Sequence, residues 1–186
     1  MSETYGLDRY IDDLREVSSK TVDQDEIFRL LTPLSRRLAL DKSWVTQKHY
    51  EINPDMGYGV HLLHEEADHS LAIMAVAWEP GGSAPPHDHG TWAVVAGIDG
   101  IERNIRYNRV DDGLQPGYAR LEVKHELHAG PGDIICMKNG GIHSVLNETD
   151  AVTLSLHTYG RHFNFTDRSQ YDLATNEKRD FIVPIA

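Results

Sequence analysis

The stretch Pro86-His87-Asp88-His89-Gly90 constrains this chain more than any other. Side chains two residues apart share a face of an extended strand. A strand here therefore aims the imidazoles of His87 and His89 at one point. A third histidine, His143 in Gly140-Gly141-Ile142-His143, follows fifty-four positions after His89. A neutral imidazole is a good ligand for iron, copper, nickel or zinc. Three of them on one side of a metal leave the other side open for substrate and oxygen. An HxH pair alone also fits a polar strand or loop, so the third histidine and the surrounding pattern carry the metal reading.

That pattern is one of short strands. Ser70–Trp78 is a β-compatible apolar run, ended by Glu79-Pro80-Gly81-Gly82. Residues 92–98 form another, followed by the turn signal Asp99-Gly100. Residues 100–110 alternate, with Ile101, Arg103, Ile105, Tyr107 and Arg109 on one side. Residues 119–127, 133–137 and 151–157 complete the series. Short strands punctuated by glycine turns indicate a sandwich or barrel. Pro131-Gly132-Asp133 and Asn139-Gly140-Gly141 read as tight turns, the second setting the approach of His143.

The first fifty residues read as helical. Leu7, Tyr10, Ile11, Leu14 and Val17 fall on one helical face, and Ile27, Leu30, Leu31, Leu34 and Leu38 do so again. Asp23 or Asp25 suits the N-cap of the second helix. Pro33 lies inside that run and is expected to break or kink it. The helices are expected to pack outside the barrel; a regulatory or dimer-forming arm is the alternative. No linker divides helices from strands, so residues 1–186 read as one domain. Its parts are a helical start (1–55), a barrel (56–170) and a C-terminal extension (171–186).

The formal net charge of −11 argues against nucleic acid or an anionic membrane as partner, because phosphate binding needs clustered cations. Cys136 is the one cysteine, so no intramolecular disulfide forms. The start does not resemble a signal peptide and no apolar run approaches a membrane span, so a cytoplasmic protein is expected. A monomer or small homo-oligomer is expected.

The glycine spacing around the histidines resembles the two paired motifs of the cupin superfamily. Gly81 precedes His87 by six positions, and Gly100 closes the first motif. The second runs from Gly132 through Lys138-Asn139-Gly140 and His143 to Asn147. The resemblance implies a mainly β fold, a double-stranded β-helix or jelly-roll barrel with a metal in its mouth. Two positions depart from the pattern: Ala93 stands where a glutamate is usual, and Lys138 where a proline is usual. Many mononuclear iron oxygenases use two histidines and one carboxylate. Here Ala93 removes that carboxylate, and Asp88 on a strand would point away from its histidine neighbours. Three neutral ligands leave Fe(II) its full charge and favour an anionic co-ligand such as a thiolate. Zinc with three histidines and a water is the hydrolytic counterpart.

Ser155, His157 and Tyr159 share one face of one strand by the same period of two. They suit a hydrogen-bonded row that would fix the histidine tautomer and orient the phenol, although a polar strand face has the same spacing. With His87, His89 and His143, and with Ala77-Trp78 ahead of them, this row is similar to that of the cysteine dioxygenase family. The similarity spans about residues 55–170. It implies that His87, His89 and His143 hold Fe(II), and that Ser155, His157 and Tyr159 form an outer catalytic triad. It further implies that O2 and a small-molecule thiol are the partners, with a sulfinate as product. Animal-type members carry a cysteine after the HxH pair, cross-linked to the tyrosine; here Ala93 and Val94 stand there. They also carry an arginine where this chain has His61. Both differences resemble the bacterial branch typified by 3-mercaptopropionate dioxygenase, which binds the substrate carboxylate with an arginine beyond the tyrosine. Arg168 is the best match and Arg161 the second, with His61 a further candidate contact. Arginine suits the task because its planar fork pairs with a carboxylate bidentately. Other metal-dependent cupin enzymes, a non-catalytic small-ligand-binding cupin and an interaction module built on the helices are the rival readings.

Overall fold

A computed structural model describes residues 4–186. Two helices come first, α1 (Leu7–Lys20) and α2 (Gln24–Asp41), then a short 3-10 turn at Gln47–Tyr50. The strands follow: β1 (Tyr58–Glu65), β2 (Ser70–Trp78), β3 (Ser83–His87), β4 (Ala93–Asp99), β5 (Glu102–Arg109), β6 (Leu121–Ala129), β7 (Ile134–Met137), β8 (Ile142–Leu146), β9 (Thr153–Arg161), β10 (Ser169–Tyr171) and β11 (Lys178–Asp180). They form a five-stranded sheet ordered β1-β2-β9-β4-β7 and a six-stranded sheet ordered β11-β10-β3-β8-β5-β6. No helix among the described residues is long and apolar enough to cross a membrane.

The five-stranded sheet is buried on both faces, which is why β2 reads as an unbroken apolar run rather than an alternating one. Ala72, Met74, Val76 and Trp78 join an apolar cluster with Ala84 and Val145 of the other sheet. Ile73, Ala75 and Ala77 face the opposite way, against Tyr10, Leu14, Leu31 and Leu38 of the helices. The helices therefore pack on the outer face of the sheet. The Tyr10 hydroxyl is 2.7 Å from both Ser35 Oγ and Thr158 Oγ1, which ties both helices to β9.

The expected break at Pro33 does not occur: α2 runs through it. A proline inside a helix costs about 3 kcal/mol. Ile27, Leu31 and Leu38 are buried on the same helix, and each returns about 1.5–3 kcal/mol. The sheet contact outweighs the local penalty. Asp23 is the N-cap, accepting from the backbone N–H of Glu26.

Strand β5 alternates as expected over its first part, and its inner face matters for the site. The side bearing Ile105 and Tyr107 meets a small outer cluster with Ile142 and Tyr171. The buried inward side instead carries the polar Glu102 and Asn104. A register shift between Arg106 and Tyr107 ends the simple alternation. The inner wall here serves polar groups across the barrel, so the more apolar side of this strand is not its inner face.

Candidate metal centre

His87 ends β3 and His143 sits on β8, where the two are cross-strand partners. His89 lies past the end of β3, not on it. Its position is set by a tight local turn. Gly90 has φ 62°, and a Cβ there would come within 2.6 Å of Thr166 Cβ, so glycine is required on both counts. Asp88, between the ligand histidines, points away from them and anchors the loop. Its carboxylate accepts from the Tyr171 hydroxyl at 2.6 Å and from the N–H groups of Gly90 and Ser169.

The three imidazoles converge. Ring centroids are 5.0 Å apart for His87–His89, 4.5 Å for His87–His143 and 5.1 Å for His89–His143. One nitrogen from each lies within 4.8 Å of the others. His87 Nδ1 is 2.9 Å from the Pro85 carbonyl, and His143 Nδ1 is 3.1 Å from Asn104 Oδ1. Such partners fix the ring orientation and leave Nε2 as the free lone pair. His143 Nε2 is buried with no hydrogen-bond partner among the described residues. Burial drives the His87 imidazole down to about 3, with the Arg168 charge adding to it. Burial and mutual repulsion hold His89 and His143 well below the usual histidine range. All three are neutral at pH 7, the form that binds metal. An orphaned buried nitrogen, three converging neutral donors and outer hydrogen bonds together fit a transition metal. Ala93 is fully buried, and no carboxylate joins the three histidines among the described residues.

Ser155, His157 and Tyr159 line the inner face of β9, as their spacing predicts. His157 Nε2 is 2.9 Å from Ser155 Oγ, and Nδ1 is 2.8 Å from the Tyr159 hydroxyl. The Tyr159 ring lies 5.1 Å from the His89 ring. Burial lowers His157 to about 3 and raises the Tyr159 phenol, so both are neutral near pH 7. Cys136 packs with the helix-facing cluster, whereas Tyr159 belongs to the inner one, so the two cannot be cross-linked.

Arg168 is 4% exposed, and its Nε and Nη1 have no hydrogen-bond partner among the described residues. Its guanidinium carbon sits 4.4 Å from the Phe163 ring centre and 4.0 Å from that of Phe181. Burial lowers it to about 10, which still leaves a cation at neutral pH. Arg168, the three histidines, His157 and Tyr159 all line one cavity of about 60 Å³. The other two proposed substrate contacts are elsewhere. Arg161 is exposed and donates to the Phe165 carbonyl. His61 is buried against the Glu51 carbonyl, and neither residue lines the cavity.

Sequence reasoning missed Asn104, Glu102, Tyr58 and the aromatic clamp of Phe163 and Phe181. The C-terminal extension supplies Phe181 and Val183 to the cavity wall. Only the apolar spacing of Phe181, Val183 and Ile185 hinted at a buried return of the chain.

No known protein-family profile matches the sequence. Among solved structures, one similar chain is an uncharacterised conserved protein with a double-stranded β-helix domain from Klebsiella pneumoniae subsp. pneumoniae. It aligns at TM-score 0.51 and 13% identity, over 69% of this chain and 90% of that one. An oxalate oxidase in complex with the substrate analogue glycolate aligns at TM-score 0.48 and 16% identity over 63% of this chain. This chain spans 59% of the length of that oxidase. A cupin domain of an XRE-family transcriptional regulator from Enterobacter cloacae aligns at TM-score 0.40 and 13% identity, over 55% of this chain and 95% of that domain. At these identities likeness speaks to fold alone. The chain has the double-stranded β-helix fold, with three converging histidines that could hold a metal ion in the barrel.

Proposed function

We propose that this protein is a non-haem iron thiol dioxygenase that converts a small carboxylate-bearing thiol, of the 3-mercaptopropionate or cysteine type, to its sulfinate. The observation that carries the reading is Arg168: a buried cation with two unpartnered N–H-bearing nitrogens in the wall of the three-histidine cavity. An unpaired buried charge is costly, and an entering anion relieves it. A carboxylate matches the guanidinium fork in charge and plane.

His87, His89 and His143 are the residues that would hold the iron. Fe(II) bound there supplies the affinity for thiolate and the redox reactivity toward O2 that side chains lack. The protein's part is positional. Arg168 takes the carboxylate and so fixes the sulfur end toward the histidines. Phe163 and Phe181 hold the guanidinium in place and exclude water around it. A cavity of about 60 Å³ suits a small molecule. Tyr159 lines the same cavity as Arg168, with its ring 5.1 Å from that of His89, and its hydroxyl would hydrogen-bond the reacting groups. His157 and Ser155 hold that hydroxyl in position. The overall reaction balances as thiol plus O2 to sulfinic acid, a stable oxidation level of sulfur.

The test is oxygen consumption by Fe(II)-loaded protein against a panel of small thiols, with mass detection of the product. The reading expects one O2 consumed per thiol and a product heavier by two oxygen atoms. No uptake with any thiol, on protein shown to hold iron, would exclude this function and favour another metal-dependent cupin activity.

A further inference from the structure

Glu102 is a buried carboxyl that the proposed reaction leaves unused. It opens β5 and is 5% exposed. Its two oxygens accept from Thr153 Oγ1 and Ser155 Oγ, each at 3.2 Å. Ser155 Oγ is in turn bonded to His157, and His157 to Tyr159. One line of hydrogen bonds therefore runs from Glu102 to the phenol beside His89.

The direction of that line follows from counting protons, because the serine hydroxyl has only one. When Glu102 is ionised it can only accept, so the Ser155 proton points at it. Ser155 Oγ must then accept from His157 Nε2–H. His157 Nδ1 is left as an acceptor, and Tyr159 donates to it. The phenol oxygen then offers only lone pairs to the cavity. When Glu102 is protonated on Oε2, the oxygen that faces Ser155, its own O–H donates to Ser155. The serine proton turns to His157 Nε2, the ring proton sits on Nδ1 and points at the Tyr159 oxygen. The Tyr159 O–H is then free to donate into the cavity. Between these states the line gains one proton. The three existing protons each move one hydrogen bond toward Glu102, and the added proton rests on Tyr159.

We propose that Glu102 is a positioning residue for this line: its protonation state selects the His157 tautomer and so decides whether Tyr159 donates or accepts at the metal centre. The catalytic use of that choice rests on the thiol dioxygenase reading, whereas the tautomer switch does not. Burial pushes the Glu102 carboxyl up to about 7, and the two hydroxyls pull it back only in part, so both forms are populated near neutral pH. Other charges around β5 are engaged elsewhere. Arg103 pairs with Glu126 of β6 and with Glu148, His128 of β6 is 3.6 Å from Glu148, and Arg109 pairs with Asp111. Arg106 donates to the Cys136 carbonyl. β6 also carries Glu122, Lys124 and His125, and β8 carries His143, bonded to Asn104. On β9 the titratable groups are His157 and Tyr159 themselves and the exposed Arg161 at its far end, which donates to the Phe165 carbonyl; the hydrogen-bond partners of Glu102 are the two hydroxyls.

The test is nitrogen NMR of metal-free protein labelled in its histidine rings, with His157 assigned by difference against His157→Gln. Ring nitrogens report the tautomer directly. The expected result is a change from Nε2–H to Nδ1–H as pH falls through neutrality. In Glu102→Gln the tautomer ratio should no longer change with pH. In Thr153→Val the midpoint should move up, because a hydroxyl that favours the carboxylate is gone. In the Fe(II)-loaded protein the same midpoint should appear in kcat/KM for the best thiol and vanish in Glu102→Gln. One His157 tautomer across about two pH units either side of neutral in the unsubstituted protein would overturn the proposal. So would an unchanged midpoint in Glu102→Gln. A tautomer switch without any thiol oxidation would support the proposal and overturn the assigned function alone.

Discussion

Replacing Arg168 by methionine separates ligand recognition from folding, and the magnitudes can be worked from its surroundings. Burial takes the guanidinium from its usual range down to about 10. At about 1.4 kcal/mol per pH unit, holding it charged in this cavity costs about 3 kcal/mol. Against this stand the contacts with Phe163 and Phe181. Desolvated contacts of this kind give about 1–2 kcal/mol each. The two effects nearly cancel, and methionine keeps an apolar stem and a polarisable sulfur between the rings. Arg168→Met should therefore unfold within about 1 kcal/mol of the parent protein. Binding is another matter. Hydrogen bonds to a charged group are worth about 1.5–3 kcal/mol each, and Nε and Nη1 can supply two. Losing both predicts a fall of about 10²–10⁴-fold in kcat/KM, chiefly through KM, for a thiol that carries a carboxylate. A thiol of the same length without a carboxylate should be nearly unaffected. The assay is steady-state oxygen uptake with both thiols, alongside urea denaturation. An unchanged KM for the carboxylate thiol, or an equal loss for both, would refute Arg168 as the anion site.

His143→Ala should abolish stoichiometric metal binding, read by metal analysis after Fe(II) loading; full occupancy would contradict its role as a ligand. Asn104→Leu removes the partner of His143 Nδ1 and should weaken metal affinity about 10–100-fold. Tyr159→Phe should slow thiol oxidation by about 10²–10³ with iron content unchanged, and parental rates would remove the phenol from the mechanism. Glu102 gives a pH signature in stability. Its folded value of about 7 exceeds the usual 4.5. Its contribution is therefore fully present below about pH 4.5 and lost as pH rises through about 7. Glu102→Gln should thus be more stable than the parent above pH 7, by up to about 3 kcal/mol, and show no such gain near pH 4. Denaturation midpoints at both pH values check this.

Much of the site was legible because it rests on local geometry. Ser155, His157 and Tyr159 occupy one strand in the register that their spacing implies. The apolar face of α2 survived Pro33 because burial against the sheet outweighs one lost backbone bond. Where an inference depended on partners distant in sequence, the sequence was a poorer guide. Arg168 and Arg161 differ by seven positions and both are plain arginines in the sequence. One is clamped by Phe181, thirteen residues further on, and the other meets solvent. The direction of β5 could not be read either, since Ile105 and Tyr107 are the more apolar side yet face outward into a small satellite cluster.

The sequence by itself determined the strand-rich fold, the three histidines and the row on β9, because period-two alternation and glycine turns act over a few residues. Only the tertiary structure decided what those groups touch: Asn104 behind His143, Glu102 behind Ser155, and a C-terminal segment returning to close Arg168 against the cavity. The physical reason is that burial and hydrogen bonding depend on which strands become neighbours. In this barrel those neighbours lie about forty to fifty residues apart in the chain.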